Sequence, residues 1–293
     1  MNLVITVLEI TSPVFLLAAI GFVWVKLGFE YRVEFVTRLA MTLSVPCLVF
    51  VALMRTEITP EALARLSLAS LLAYAVAGLL SAGLVWAVRL PSRTFLAPLI
   101  FGNTGNLGLP LALFAFGDNG LGLAVVVFAV MAVMSFTVGI WMVAGGGDWT
   151  RALKEPLVSA TLLGALFLWQ GWETPVFLTR SLELVGQMAI PMMLITLGVA
   201  VARLHPAGLK RAFVLSAVKV VLCLIAGVGA GVLLELDDTA LAVLVVQLAT
   251  PVAVTSYLLA EKFGADSAEV AGLVVASTLM SMISLPLILG YLL

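Results

Sequence analysis

Gly102-Asn103-Thr104-Gly105-Asn106-Leu107-Gly108-Leu109-Pro110 interrupts an otherwise apolar run, free of charge from 94 to 117. Two amides and three glycines in the middle of a lipid-spanning helix are costly unless they face protein or a water-filled cavity. Glycine lowers helix propensity, so the segment is expected to unwind and offer backbone N–H and C=O groups to a ligand. The alternative is a notch of small residues for close helix packing. A nucleotide-binding loop does not fit. The spacing is not G-x-G-x-x-G, no strand precedes it and no catalytic lysine follows.

A second interruption reads Gln247-Leu248-Ala249-Thr250-Pro251-Val252-Ala253-Val254-Thr255-Ser256-Tyr257. Pro251 lacks an amide proton and clashes with the preceding turn, so the helix is expected to break there. The following half-helix would then start near mid-membrane, with free N–H groups and the positive end of its dipole turned inward. Two such ends meeting would form an anion site without an arginine. The alternative is a proline kink whose hydroxyls bond back to their own helix. Asn103, Thr104, Asn106, Thr250, Val254 and Thr255 are the candidate substrate contacts. Gly102, Gly105, Pro110 and Pro251 would maintain the breaks. Gln247 and Lys219 are candidates for ion binding or charge compensation. Lys219 lies eight residues beyond Arg211, about 12 Å along a helix. It could attract an anion, snorkel to the interface, or bond to carbonyls exposed at a broken helix.

Working outward, the whole chain has the composition of a membrane protein. Of its 293 residues 63% are hydrophobic and 11% charged, less than half the charge of an ordinary soluble domain, about 25%. Charge-free stretches of spanning length fall at 10–25, 39–54, 66–88, 94–117, 119–147, 156–172, 184–202, 220–234, 239–260 and 270–293. A span needs roughly 17–25 mostly apolar residues, and a flanking charge can snorkel where a stretch is short. The reading is all-α and polytopic, with ten transmembrane helices. The N-terminus lacks the basic segment of a signal peptide and reads as a retained first helix. Net charge is −1, which gives no basic excess for nucleic acid.

Positive charge sorts by loop. With the N-terminus outside, the inner loops carry Lys26, Arg32, Arg89, Arg93, Arg151, Lys154, Arg203, Lys210, Arg211 and Lys262, and the outer loops only Arg55 and Arg65. The positive-inside rule therefore puts both termini outside. Pro13 and Pro156, Pro46 and Pro191, and the 102–106 break and Pro251 recur at offsets of 143 to 149. Residues 1–144 and 156–293 thus read as two five-helix repeats joined by a short linker, 145–155. An odd number of spans per half inverts the second copy, a signature of secondary transporters.

Enzyme chemistry has little to work with. His205 is the only histidine, Cys47 and Cys223 fall inside separate spans, and no buried carboxylate cluster is visible. Metal-hydrolase and serine-hydrolase constellations cannot be assembled from this set, and neither a cofactor nor a metal centre is expected. Arg180 and Glu183 are spaced to pair along one helix face. Coupling to Na+ or H+ is open: oxygen-rich breaks could take sodium, but the broken spans hold no carboxylate for a simple proton relay.

At these residues the chain resembles the auxin efflux carrier family, whose bacterial members include malate and malonate permeases. Similarity runs from Ser12-Pro13-Val14-Phe15-Leu16 and Gly21, through Arg38-Leu39-Ala40 and Ser44-Val45-Pro46-Cys47-Leu48, to Asn103-Thr104 with Gly108 and Pro110. Thr250-Pro251 through Tyr257, Ser277-Thr278 and Leu285-Pro286 complete it. The resemblance implies a fold similar to bile-acid/sodium symporters, with spans 1, 2, 6 and 7 as a scaffold and homodimer contact. Spans 3–5 and 8–10 would form a mobile transport domain in which broken helices 4 and 9 cross. It also implies that Asn103 contacts a substrate carboxylate near the crossover and Pro251 sets the second break. Plant members carry a proline before the helix 4 asparagine, where this chain has Gly102, and a long hydrophilic central loop that is only a linker here. The expected function is secondary transport of a small organic anion, such as malate, malonate or an auxin-like acid, across the inner (plasma) membrane by alternating access. A sodium-coupled carrier of bile-acid-like anions and a non-transporting anion receptor are the alternatives.

Overall fold

A computed structural model describes residues 3–55, 58–144 and 156–293, so the expected linker at 145–155 lies outside the described residues. The described residues are helical, with no β-strand beyond one isolated bridge between Gly102 and Val252. In chain order the helices are α1 (Leu3–Lys26), α2 (Val33–Arg55), α3 (Pro60–Ala87) and α4 (Ser92–Ile100). Then come α5 (104–116) and α6 (118–144), separated at Gly117, whose backbone (φ 65°, ψ −158°) leaves the helical region. The second half holds α7 (Pro156–Gln170), α8 (Val176–Arg203), α9 (Leu209–Leu233), α10 (Asp238–Ala249), α11 (Val254–Lys262) and α12 (Ser267–Leu292).

Among the described residues, seven helical stretches are long and apolar enough to cross a membrane. The ten charge-free runs exceed that number for physical reasons. The runs expected as spans 4 and 9 are divided at 101–103 and 250–253 into half-helices too short to cross alone. Helix α7 is apolar but short, and α5 and α6 together form one of the seven stretches. The multi-pass membrane character is clear from the surface as well. Trp86, Trp169, Phe177, Leu79 and Tyr291 are largely exposed, an arrangement that suits lipid and its interfaces rather than water.

Helix starts follow local chemistry. Thr59 caps α3 by accepting from the Ala62 N–H, with Pro60 at the first helical position; proline's missing donor costs nothing there. Asp266 caps α12 by accepting from the Glu269 N–H, and Glu269 pairs with Arg211 at the start of α9. Asp237 caps α10 by accepting from the Ala240 N–H at 2.9 Å. Replacing Asp237 with alanine is expected to cost about 1 kcal/mol of stability, read as a lower melting temperature in detergent.

Packing divides into two sets. Helix α1 runs along α8, and α2 packs against α7 and α8; α3 packs along α9, while α9 lies against α10 and α12. Helix α10 is buried along nearly its whole length, from Ala242 to Ala249. That centrality holds its C-terminal end, the second break, in the interior. Glu183 does not pair with Arg180 along its own helix. It forms an ion pair with Arg55 of α2 instead, tying the ends of α2 and α8 together.

Candidate functional site

The two interruptions meet. Helix α4 ends at Ile100, and Phe101 is extended (φ −94°, ψ 116°); α10 ends at Ala249, and Thr250 is extended (φ −57°, ψ 149°). Gly102 and Val252 then pair as an antiparallel bridge, and the Asn103 N–H donates to the Pro251 carbonyl at 2.7 Å. Two short extended segments thereby satisfy each other's backbone groups at depth, where water could not.

Glycine is required at this contact. A β-carbon on Gly102 would collide with Thr250 Oγ1 and press on the Thr250 carbonyl, and one on Gly108 would collide with the Gln247 side-chain amide. The small residues therefore provide close packing as well as a break in the helix. On the far strand, Thr250 Oγ1 donates to the Gln247 carbonyl at 2.6 Å, and the Val252 N–H donates to Ser277 Oγ at 3.0 Å. Lys219 is fully buried, and its ammonium donates to the Thr250 carbonyl at 2.8 Å. It does not snorkel; it bonds to a carbonyl exposed by the broken helix.

Beside the crossing lies a cavity of about 110 Å³. Its walls include Gly102, Asn103, Gly105 and Asn106 from the first break and Ala253, Val254 and Thr255 from the second. Thr37, Ala40 and Met41 of α2, Met193 and Thr196 of α8, and Phe128, Met131, Ala132, Ser135 and Phe136 of α6 complete it, and no charged side chain lines it. Three wide π-helical turns face this space: Ala40–Ser44, Thr104–Gly108 and Ser135–Gly139 each contribute wall residues. Such turns misalign the backbone ladder and are frequent at functional sites.

Two features give the cavity an electrostatic preference. Asn103 is 5% exposed, and its Nδ2 is buried without a hydrogen-bond partner among the described residues. An unpaired buried amide donor costs about 1–3 kcal/mol, a debt that an acceptor in the cavity would cancel. Secondly, α11 begins at the wall, with Val254 and Thr255 in its first turn and no side chain capping its N–H groups. Free amide protons and the positive end of the helix dipole favour an anion there.

The cavity thus brings together Asn103, Asn106, Val254 and Thr255 with Gly102 and Gly105. It excludes other candidate residues. Thr104, Thr250 and Gln247 are completely buried behind the wall. Thr104 Oγ1 and both polar atoms of the Gln247 side chain have no partner among the described residues. Pro110 sits in α5 beyond the wall. Thr37, Ser135 and Thr196 are polar wall residues that sequence reasoning missed. Each shares its helix with other serines or threonines, and only the packing shows which hydroxyls face the break. A larger cavity of about 990 Å³ lies between α2, α8 and the α5–α6 turn, lined by Arg55, Asp118, Glu183 and Gln187 among others. Cys47 and Cys223 are both free thiols.

Comparisons with known proteins point to membrane transport. Residues 145–289 match the membrane transport protein family. The chain is similar to an uncharacterized transporter of Methanothermobacter thermautotrophicus, with 26% identity covering 95% of this chain and 96% of that protein. It is also similar to an uncharacterized transporter of Methanocaldococcus jannaschii, with 32% identity covering 38% of each chain. With paired helix breaks, a multi-pass helical fold and a relative matched from end to end, the chain is similar over its second half to the membrane transport protein family and, as a whole, to an archaeal transporter, in line with the auxin efflux carriers that its sequence resembles.

Proposed function

We propose that this protein is a secondary transporter of small organic anions, binding carboxylates of the malate and malonate type in the cavity beside the two breaks. The observation that carries this reading is the unpartnered Asn103 amide, buried at a wall it shares with the uncapped start of α11. A carboxylate has two acceptor oxygens. One could take the amide of Asn103 and the other the free N–H groups of α11, with Thr255 beside them. Asn106 adds a second amide to the same wall.

The mechanism follows from an architecture of ten crossings in two inverted five-helix repeats. In it, α4–α5 and α10–α11 each count as one broken crossing, as do the unbroken helices α1, α2, α3, α6, α7, α8, α9 and α12. Helices α1, α2, α7 and α8 form the scaffold and the homodimer contact, and α3–α6 with α9–α12 form the mobile unit. The cavity supports this division, because α2 and α8 supply one side and the breaks with α6 supply the other. Relative movement of the two sets would expose the same site to each face of the inner membrane in turn, with both termini outside.

Counterflow in proteoliposomes tests the proposal. Vesicles loaded with unlabelled malonate are expected to accumulate labelled malonate transiently with no imposed ion gradient, and malate and indole-3-acetate serve as competitors. Malonate binding without counterflow would replace the transporter reading with that of an anion receptor.

A further inference from the structure

Lys219 is a full charge placed at the centre of the broken helix, and substrate contact does not account for it. It is 1% exposed and does not line the cavity. Its ammonium donates to the Thr250 carbonyl at 2.8 Å and lies 3.9 Å from Cys223 Sγ. No carboxylate pairs with it among the described residues, where the ion pairs are Arg32–Glu30, Arg55–Glu183 and Arg211–Glu269. An ammonium without a carboxylate partner in a low-dielectric interior is costly, and beside the weak acceptor Cys223 Sγ the strong partner it has is backbone.

The C-terminal end of α10 supplies that offset. The break at Pro251 leaves carbonyls at the end of α10 without helical N–H partners, and the helix dipole places its negative end there. In ion-coupled carriers such carbonyl ends at helix breaks hold the coupling cation. Here Lys219 reaches across from α9 and takes the Thr250 carbonyl itself.

We propose that Lys219 is a tethered cation, filling at the carbonyl end of the second break the place that a dissociable sodium ion takes in coupled carriers. The break then has two working ends. Its carbonyl end holds the Lys219 ammonium, and its amide end, the start of α11, faces the cavity. An anion entering the cavity meets a site whose compensating charge is already built in, so loading needs no metal ion. Lys219 acts as a positioning residue that also sets the charge of the unit. This inference rests on the anion site proposed above for its consequence, but not for the occupancy of the break.

Replacing sodium by choline tests the tethered cation directly. The melting temperature of the purified wild-type protein is expected to be the same in sodium chloride and in choline chloride. Lys219→Ala is expected to melt lower in choline and to regain several degrees in sodium chloride, as a ligand that binds only the folded state must produce. Should the alanine variant fail to fold, Lys219→Gln carries the same comparison. Malonate counterflow of the wild type is expected to run equally well in either salt and to fall at least tenfold in the variant in choline. Sodium-dependent melting or counterflow of the wild type would overturn the proposal. So would a variant indifferent to sodium, or one that transports at the wild-type rate in choline. Wild-type protein that melts independently of sodium yet moves no malonate would count against the anion reading alone, because the melting data decide Lys219 without any substrate.

Discussion

Asn103→Ala is expected to reduce malonate counterflow by about 10- to 100-fold while leaving the protein folded. A hydrogen bond to a charged group is worth about 1.5–3 kcal/mol, and each 1.4 kcal/mol is a factor of ten in binding. The geometry around Asn103 makes the prediction sharper. Its Nδ2 has no partner among the described residues, so truncation breaks no hydrogen bond from that amide to the protein. The structural bond from Asn103 comes from its backbone N–H to the Pro251 carbonyl, and alanine retains it. Melting temperature without substrate should therefore hold or rise slightly, as transport falls. Asn103→Asp separates charge from shape, because it keeps the size and sets a carboxylate against the start of α11. Repulsion should remove malonate transport at least as completely. Wild-type kinetics in Asn103→Ala, or a collapse of its melting temperature, would sink the assignment.

The sequence made this residue visible because an amide between glycines is anomalous in an apolar run, and lipid makes anomalies expensive. Pro251 was visible for the same reason, since its effect on a helix is local and independent of packing. Their meeting was expected through the family resemblance, which has broken helices 4 and 9 crossing. That Gly102 itself bridges Val252 depends on the packing of the helices around the crossing, which no local rule supplies. Lys219 illustrates the limit. Counting residues from Arg211 places it deep in α9, but only the fold decides between snorkelling and the Thr250 carbonyl. The hydroxyls of Thr37, Ser135 and Thr196 carry no distinguishing local signal, because serine and threonine in a membrane helix satisfy themselves on the preceding turn. Thr42 and Thr137 do so, donating to the Arg38 and Val133 carbonyls. The pairing of Glu183 with Arg55 rather than Arg180 has the same origin: helix spacing offered one partner and tertiary packing another.

Gly198→Ala is expected to be the most damaging single methyl in the protein, because at this seam backbone meets backbone. A β-carbon on Gly198 would collide with the carbonyl oxygen of Ala18, and one on Gly21 with the carbonyl oxygen of Ile195. The two collisions are reciprocal across α1 and α8, so the helices touch through glycine on both sides. In lipid no hydrophobic drive holds helices together, and close backbone approach with its dispersion contacts takes that part. A carbonyl cannot rotate aside as a side-chain end can, so the helices must part along the seam. Overpacking of this kind costs about 1–3 kcal/mol. At about 2–4 °C per kcal/mol, the melting temperature in detergent should fall by several degrees. Gly21→Ala should do the same, and the double variant should lose less than the sum, since the first methyl has already opened the seam for the second. Gly229→Ala is the control: it lies in α9 with open space around its α-carbon and should hold or gain stability through helix propensity alone. The damage should also reach transport, because Met193 and Thr196 stand on the turns of α8 just before Gly198 and line the cavity. A Gly198→Ala protein with wild-type melting and wild-type malonate counterflow would show that the α1–α8 seam is not the rigid support against which the site is built.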